Sequence, residues 1–165
     1  MQIGVWIAVG AFVVMEPATA AMHRFVMHGP GWTLHLSHHE TKASPRFELN
    51  DLYPLVFAGL TMLVMAIGFQ GRGGDLVVPA TLGITAYGAC YGFVHEVYIH
   101  QRIRFPWRVA ALDRLKDAHR IHHLWSEGPY GMLVPVVPAR LRARERAMTG
   151  TYDPFAPGEG GITLV

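Results

Sequence analysis

The chain has 165 residues, a length that suits one domain. Hydrophobic residues make up 51% of it and charged residues only 16%, well below the roughly 25% charged in ordinary water-soluble domains, a composition that argues against a plain soluble globule. The net charge of +2 decides little and gives no reason to expect a nucleic-acid partner, but its distribution matters, because ten of the fourteen Lys and Arg lie after position 100.

Residues 3–22 are apolar apart from Glu16 and Thr19, with Pro17 between them. At about 1.5 Å per residue such a helix just crosses a hydrocarbon core of about 30 Å. No basic stretch precedes this run and no small-residue cleavage site follows it, so a removed secretory signal is not expected. The run leads into His23 and His28, and Gly29-Pro30-Gly31 is a strong helix stop. Residues 29–52 are polar and carry His35, His38 and His39. A second uncharged span covers 53–69, a tight polar turn follows at 71–75, and a third span over 76–94 delivers His95. The remainder is polar and basic, broken by a short apolar stretch from Met132 to Ala139 that is too short to cross and is expected at the membrane interface or against the histidine-bearing helices. The lone Cys90 excludes an intrachain disulfide and fits a reduced, cytoplasm-facing site.

All ten histidines fall into two copies of one pattern, H-x4-H, a spacer, then H-x2-H-H. The first copy is His23, His28, His35, His38 and His39; the second is His95, His100, His119, His122 and His123. On a helix, positions i, i+3 and i+4 share a face, so each H-x2-H-H projects three rings into one arc. Five residues amount to about 140° of rotation on an α-helix, so an H-x4-H pair converges only in a groove or at a distorted helix end. A single H-x4-H says little, since a lone histidine is ordinarily a core or surface residue. The duplicated composite, with no histidine left over, predicts metal binding, and ten imidazoles suit two ions better than one. Neutral imidazole accepts iron, zinc, copper or nickel; a structural zinc site usually draws on thiolates, and this chain has one cysteine.

Topology is consistent with that reading. Two spans joined by a short turn separate the copies, so both face one compartment. The excess of Lys and Arg on that side, Lys42 and Arg46 included, against the single Arg72 on the other, places it in the cytoplasm. The expectation is an all-α integral membrane protein with three transmembrane helices, room for a fourth, and a cytoplasmic histidine-rich cap made from 23–52 and 95–147, with a tail over 148–165, all one domain.

Three stretches in each half, His23-Arg-Phe-Val-Met-His28-Gly29, His35-Leu-Ser-His38-His39-Glu40, Phe47-Glu-Leu-Asn-Asp-Leu-Tyr53, Phe93-Val94-His95-Glu96, His100-Gln101-Arg102 and Ala118-His119-Arg-Ile-His122-His123, resemble the bacterial β-carotene 3-hydroxylases of the fatty acid hydroxylase superfamily. The histidine boxes alone fit any integral-membrane desaturase or hydroxylase; the short chain, the 28-to-35 spacing and Glu48-Leu-Asn-Asp-Leu-Tyr53 narrow the resemblance to the carotenoid branch. Ala20-Ala21 departs from it, where an aromatic is expected. The resemblance implies a non-haem di-iron monooxygenase of the inner membrane that uses O₂ to hydroxylate C3 of the β-ionone ring. β-Carotene would go to β-cryptoxanthin and zeaxanthin, and canthaxanthin towards astaxanthin. Zinc would enter such a site only as a substitute for iron. An unactivated ring C–H bond needs a redox-active metal, because acid–base catalysis does not weaken it.

Glu16, Asn50, Asp51, Glu96 and Asp117 are the candidates to hold the ligand imidazoles from behind. Glu16 stands out as a carboxylate inside an apolar span, two turns before His23; Asp117 and Glu40 also suit plain helix solvation. No glycine-rich nucleotide fingerprint precedes a helix, so electrons are expected from a ferredoxin and its reductase. The run Arg140, Arg142, Arg144 and Arg146 offers a landing site for such an acidic donor or for anionic lipid, or is simply a solvated helix face. The substrate, being lipid-soluble, should enter sideways from the bilayer. The rival readings are a related fatty-acid or sterol hydroxylase or desaturase, and a membrane metal carrier or haem-binding protein.

Overall fold

The computed structural model describes residues 2–40, 47–134 and 136–148; Lys42, Arg46, Pro135 and nearly all of the tail expected over 148–165 lie outside them. The described elements are all helical: α1 (Gln2–Met22), π1 (His23–Met27), α2 (Trp32–His39), a 3₁₀ turn (Leu49–Asp51), α3 (Leu52–Phe69), α4 (Gly74–Gly92), π2 (Phe93–Ile99), α5 (Ala110–Trp125) and α6 (Ala139–Ala147).

Three of these runs are long and apolar enough to cross a membrane, Gln2–Met27, Leu49–Phe69 and Gly74–Ile99. Their large apolar side chains, among them Trp6, Val13, Leu55, Leu63 and Leu82, face outward. That arrangement is costly in water and favourable in lipid. α4 packs on both α1 and α3. Gly83 makes the α1–α4 contact close, since a Cβ there would lie 2.1 Å from the Ala8 carbonyl oxygen. Small residues at such crossings let backbones approach within the bilayer. The two helices also share a polar contact, Thr19 Oγ1 to the Tyr87 hydroxyl at 2.7 Å.

The spans differ from the sequence expectation at one end. The first and third were expected to stop at 22 and 94, with the metal-binding segments beginning after them. Instead the helix continues through π1 and π2, so His23 and His95 belong to the final turns of the spans themselves. α1 and α4 thus run towards the same end of the molecule, and both histidine copies gather there.

A small core supports that end. Val94, Tyr98, Ile99, Leu115 and Met132 are buried together, with Tyr91, Phe105, Leu112 and Leu133 packed around them. Each such buried side chain contributes about 1.5–3 kcal/mol. The Met132 contact places the short apolar stretch against the histidine-bearing helices, as one of its two expected positions. Tyr98 ties α5 to π2, donating to Asp113 at 2.7 Å and accepting from the Val109 N–H at 2.9 Å.

Candidate metal centre

The two π-helices answer the awkward H-x4-H spacing. A π turn is closed by a hydrogen bond between residues five apart, so such residues stack on one face. The His28 N–H donates to the His23 carbonyl at 2.9 Å, and the His100 N–H to the His95 carbonyl at 3.0 Å. Both pairs therefore direct their rings to the same side, with ring centres 5.0 Å and 4.6 Å apart. Gly29 and Gly31 follow π1 where the chain doubles back. A Cβ at Gly31 would sit 1.9 Å from the Tyr53 hydroxyl oxygen, which donates to the Gly31 carbonyl at 2.8 Å.

The rings collect into two groups. His23, His28, His35, His39 and His122 form the first, and His38, His95, His100 and His119 the second; within each, one nitrogen per ring lies within 4.8 Å of all the others. His123 lies beside the second group, its Nε2 2.9 Å from that of His119 and its ring stacked on His39 of the first. Nine of the ten sequence-predicted ligands thus fall into the two groups, five and four, and the tenth, His123, lies beside them. The assignment is crossed: the middle histidine of each H-x2-H-H leaves its own repeat. His38 completes the second-half centre and His122 the first-half centre, here called the His38 centre and the His122 centre.

Local hydrogen bonds fit these rings for a cation. His23 Nδ1 donates to the Tyr130 carbonyl at 3.1 Å, His35 Nδ1 to Asn50 Oδ1 at 2.7 Å, and His122 Nδ1 to the Glu127 carbonyl at 2.7 Å. In the other centre His38 Nδ1 donates to Glu48 Oε2 at 3.1 Å and His95 Nδ1 to Glu96 Oε1 at 2.6 Å. With the proton on Nδ1, each Nε2 of a neutral ring is a bare lone pair. Yet Nε2 atoms face each other at 3.0 Å between His23 and His35. Lone pairs at that distance repel unless a cation lies between them, and ligands about 2.1 Å from one ion at a right angle are about 3.0 Å apart. His38 Nε2 is buried and has no hydrogen-bond partner among the described residues, a large cost for a polar atom unless it serves as a ligand.

Burial keeps the rings neutral, and neighbouring rings add to the effect. It lowers His28 to about 4, His35 to about 3 (against the opposing Asn50 bond) and His39 to about 2. His38, His100, His119, His122 and His123 are lowered in the same way. Neutral imidazole is the ligand form.

Residues 8–138 match the fatty acid hydroxylase family. The chain belongs to that family. Among individual relatives of this fatty acid hydroxylase, the beta-carotene hydroxylase of Pantoea ananas is 39% identical over 94% of both chains. That of Pseudescherichia vulneris is 40% identical, over 88% of this chain and 86% of the relative. The chloroplastic beta-carotene 3-hydroxylase 1 of Arabidopsis thaliana is 37% identical over 78% of this chain and 43% of its own. No solved structure matches.

The five candidates for supporting residues separate in this hydroxylase. Asn50 and Glu96 touch ligand rings directly. Asp51 does not; it binds Arg102 at 2.7 and 3.0 Å and accepts from the Glu48 N–H at 2.9 Å. Glu16 reaches no histidine either. Its carboxylate accepts from the Tyr87 hydroxyl at 2.6 Å and from the N–H groups of Leu133 and Val134 at 3.0–3.1 Å, because the chain after Tyr130 folds over α1 before the His23 turn is reached. Asp117 pairs with Arg120 and Arg142 on the surface. The sequence reading missed Glu48 and Arg102. Arg102 joins Glu96 at 3.0 Å and Asp51, and lies 3.9 Å from Glu48, binding the two repeats together. Its charge in a motif otherwise read for histidine was the available signal.

The arginine run of α6 is largely engaged within the molecule. Arg140 pairs with Glu127, Arg142 with Asp117 and Glu145, and Arg144 lies over the Trp125 ring.

Proposed function

We propose that this chain hydroxylates C3 of the β-ionone ring of carotenoids, converting β-carotene to β-cryptoxanthin and zeaxanthin, with two irons as its metals. The supporting observation is the conjunction of two histidine clusters, one of five rings and one of four, at one end of the spans with similarity over 88–94% of the chain to two bacterial beta-carotene hydroxylases. Canthaxanthin, with its ketolated ring, is a further substrate on this reading.

The irons supply O₂ activation, which acid–base groups cannot; overall the ring C–H, O₂, two electrons and two protons give C–OH and water. The ten histidines would hold the ions, and the acceptors behind Nδ1 of His23, His35, His38, His95 and His122 would fix the tautomer and orientation of those rings. A polyene substrate reaches the centres from the bilayer, since His23 and His95 lie in the last turns of spans whose outer faces are apolar. The head faces the cytoplasm of the bacterial inner membrane, where ferredoxin and its reductase supply electrons. Arg140, Arg144 and Arg146 stay exposed even where they have partners, and donor docking on α6 rests on them.

Expression in cells that make β-carotene, followed by pigment extraction, tests the reading. Accumulation of β-cryptoxanthin and zeaxanthin is expected. Unchanged β-carotene, with iron loaded and reductant present, overturns it, and hydroxylated fatty acids or sterols would assign the chain to another branch of the family.

A further inference from the structure

The crossed histidine sets are near copies of each other, but what stands behind them is not. At the His122 centre every hydrogen-bond partner of a ligand Nδ1 among the described residues is neutral: the Tyr130 and Glu127 carbonyls, Asn50 Oδ1 and, at 3.5 Å from His39, Ser126 Oγ. At the His38 centre two rings lean on carboxylates, His38 on Glu48 and His95 on Glu96. Each carboxylate turns one oxygen to its imidazole and the other towards Arg102, at 3.9 Å from Glu48 Oε1 and 3.0 Å from Glu96 Oε2. Asp51 adds a third acidic group on the same guanidinium, so three carboxylates gather on Arg102 behind the His38 centre.

A carboxylate behind an imidazole draws its N–H proton and makes the opposite nitrogen a stronger donor, and the extra negative charge attracts a divalent ion. We propose that the two centres are inequivalent, the His38 centre holding its ion more tightly than the His122 centre, with Glu48 and Glu96 as the positioning residues that set the difference and Arg102 as the clamp that keeps both carboxylates aimed. This inference rests on the two-metal reading above. It gives the chain an ordered loading, the His38 centre first. Because that centre takes ligands from both repeats, its filling draws His38 and its helix α2 onto the second half before the other ion arrives.

Stepwise withdrawal of metal tests the proposal. The full-length protein in detergent, loaded with zinc alone, is equilibrated against graded concentrations of a chelator, and the zinc kept per chain is measured. Two release steps are expected. Glu48→Gln and Glu96→Gln, which convert the partner to a neutral one of the same shape, should weaken only the later step, by about 10–100-fold. The unchanged earlier step then shows that the variant is folded. Asn50→Asp, which gives His35 a carboxylate, should tighten the earlier step, a gain that loss of structure cannot produce. A single shared step, equal weakening of both steps by the Gln variants, or loosening by Asn50→Asp overturns the inequivalence. A chain that binds no zinc, or one ion only, removes the two-metal reading itself.

Discussion

His38 and His122 occupy the same place in the two repeats, and each serves the opposite half. Substitution of either by Ala should therefore remove one ion while leaving the other, and abolish hydroxylation; metal analysis of each purified variant checks this. The depressed pKa values carry a second expectation. His28, His35 and His39 are held at about 4, 3 and 2 against an ordinary 6.5. Below about pH 6.5 the unfolded chain takes up protons that the folded chain refuses, so stability falls as pH is lowered. In the metal-free protein the melting temperature should drop between pH 7 and pH 4, the steepest loss beginning near 6.5, and bound metal should blunt the drop; thermal melts in detergent across that range measure it. That the histidines gather was legible because their spacing is duplicated. Their crossed sorting was not, because it depends on how α2 and α5 face each other, which no local spacing records. Glu48 was overlooked for a related reason: it lies 10 residues from its histidine, across a segment with no helical periodicity.

At the scale of elements, periodicity predicted where helices run but not which kind of helix ends them. The H-x4-H pairs called for a distorted helix end, and π1 and π2 are that distortion. The expected boundaries stopped short because hydropathy falls at histidine while the hydrogen-bonded backbone continues. Glu16 shows the opposite limit. Helical phase placed it on the His23 face, but phase cannot foresee a returning strap of chain, and residues 131–134 occupy its carboxylate. Glu16→Ala should strand the N–H groups of Leu133 and Val134 and lower stability by about 1–3 kcal/mol, read as an earlier thermal transition. Gly83 was legible only as part of a Gly- and Ala-rich span. Any side chain there must displace the α1 backbone at Ala8, so Gly83→Val should cost about 1–3 kcal/mol or more and loosen α1 from α4, detectable as increased hydrogen exchange along both helices.

For the whole molecule, the design is a membrane anchor of three helices that carries a pseudo-symmetric head at one end. Each repeat brings one π turn from a span and one H-x2-H-H helix from the head, and neither repeat can complete a centre alone. Exchange of His38 and His122 and the contacts of Arg102 with Asp51, Glu48 and Glu96 tie each centre to both halves of the chain. The same arrangement places the two histidine clusters at the ends of the apolar spans. The most direct measurement is the metal content and coordination of the full-length protein purified in detergent with iron. Two irons per chain, each surrounded by imidazole nitrogens at about 2.1 Å in X-ray absorption, are the predicted result. A chain holding a single ion, or irons coordinated mainly by something other than histidine, would contradict it.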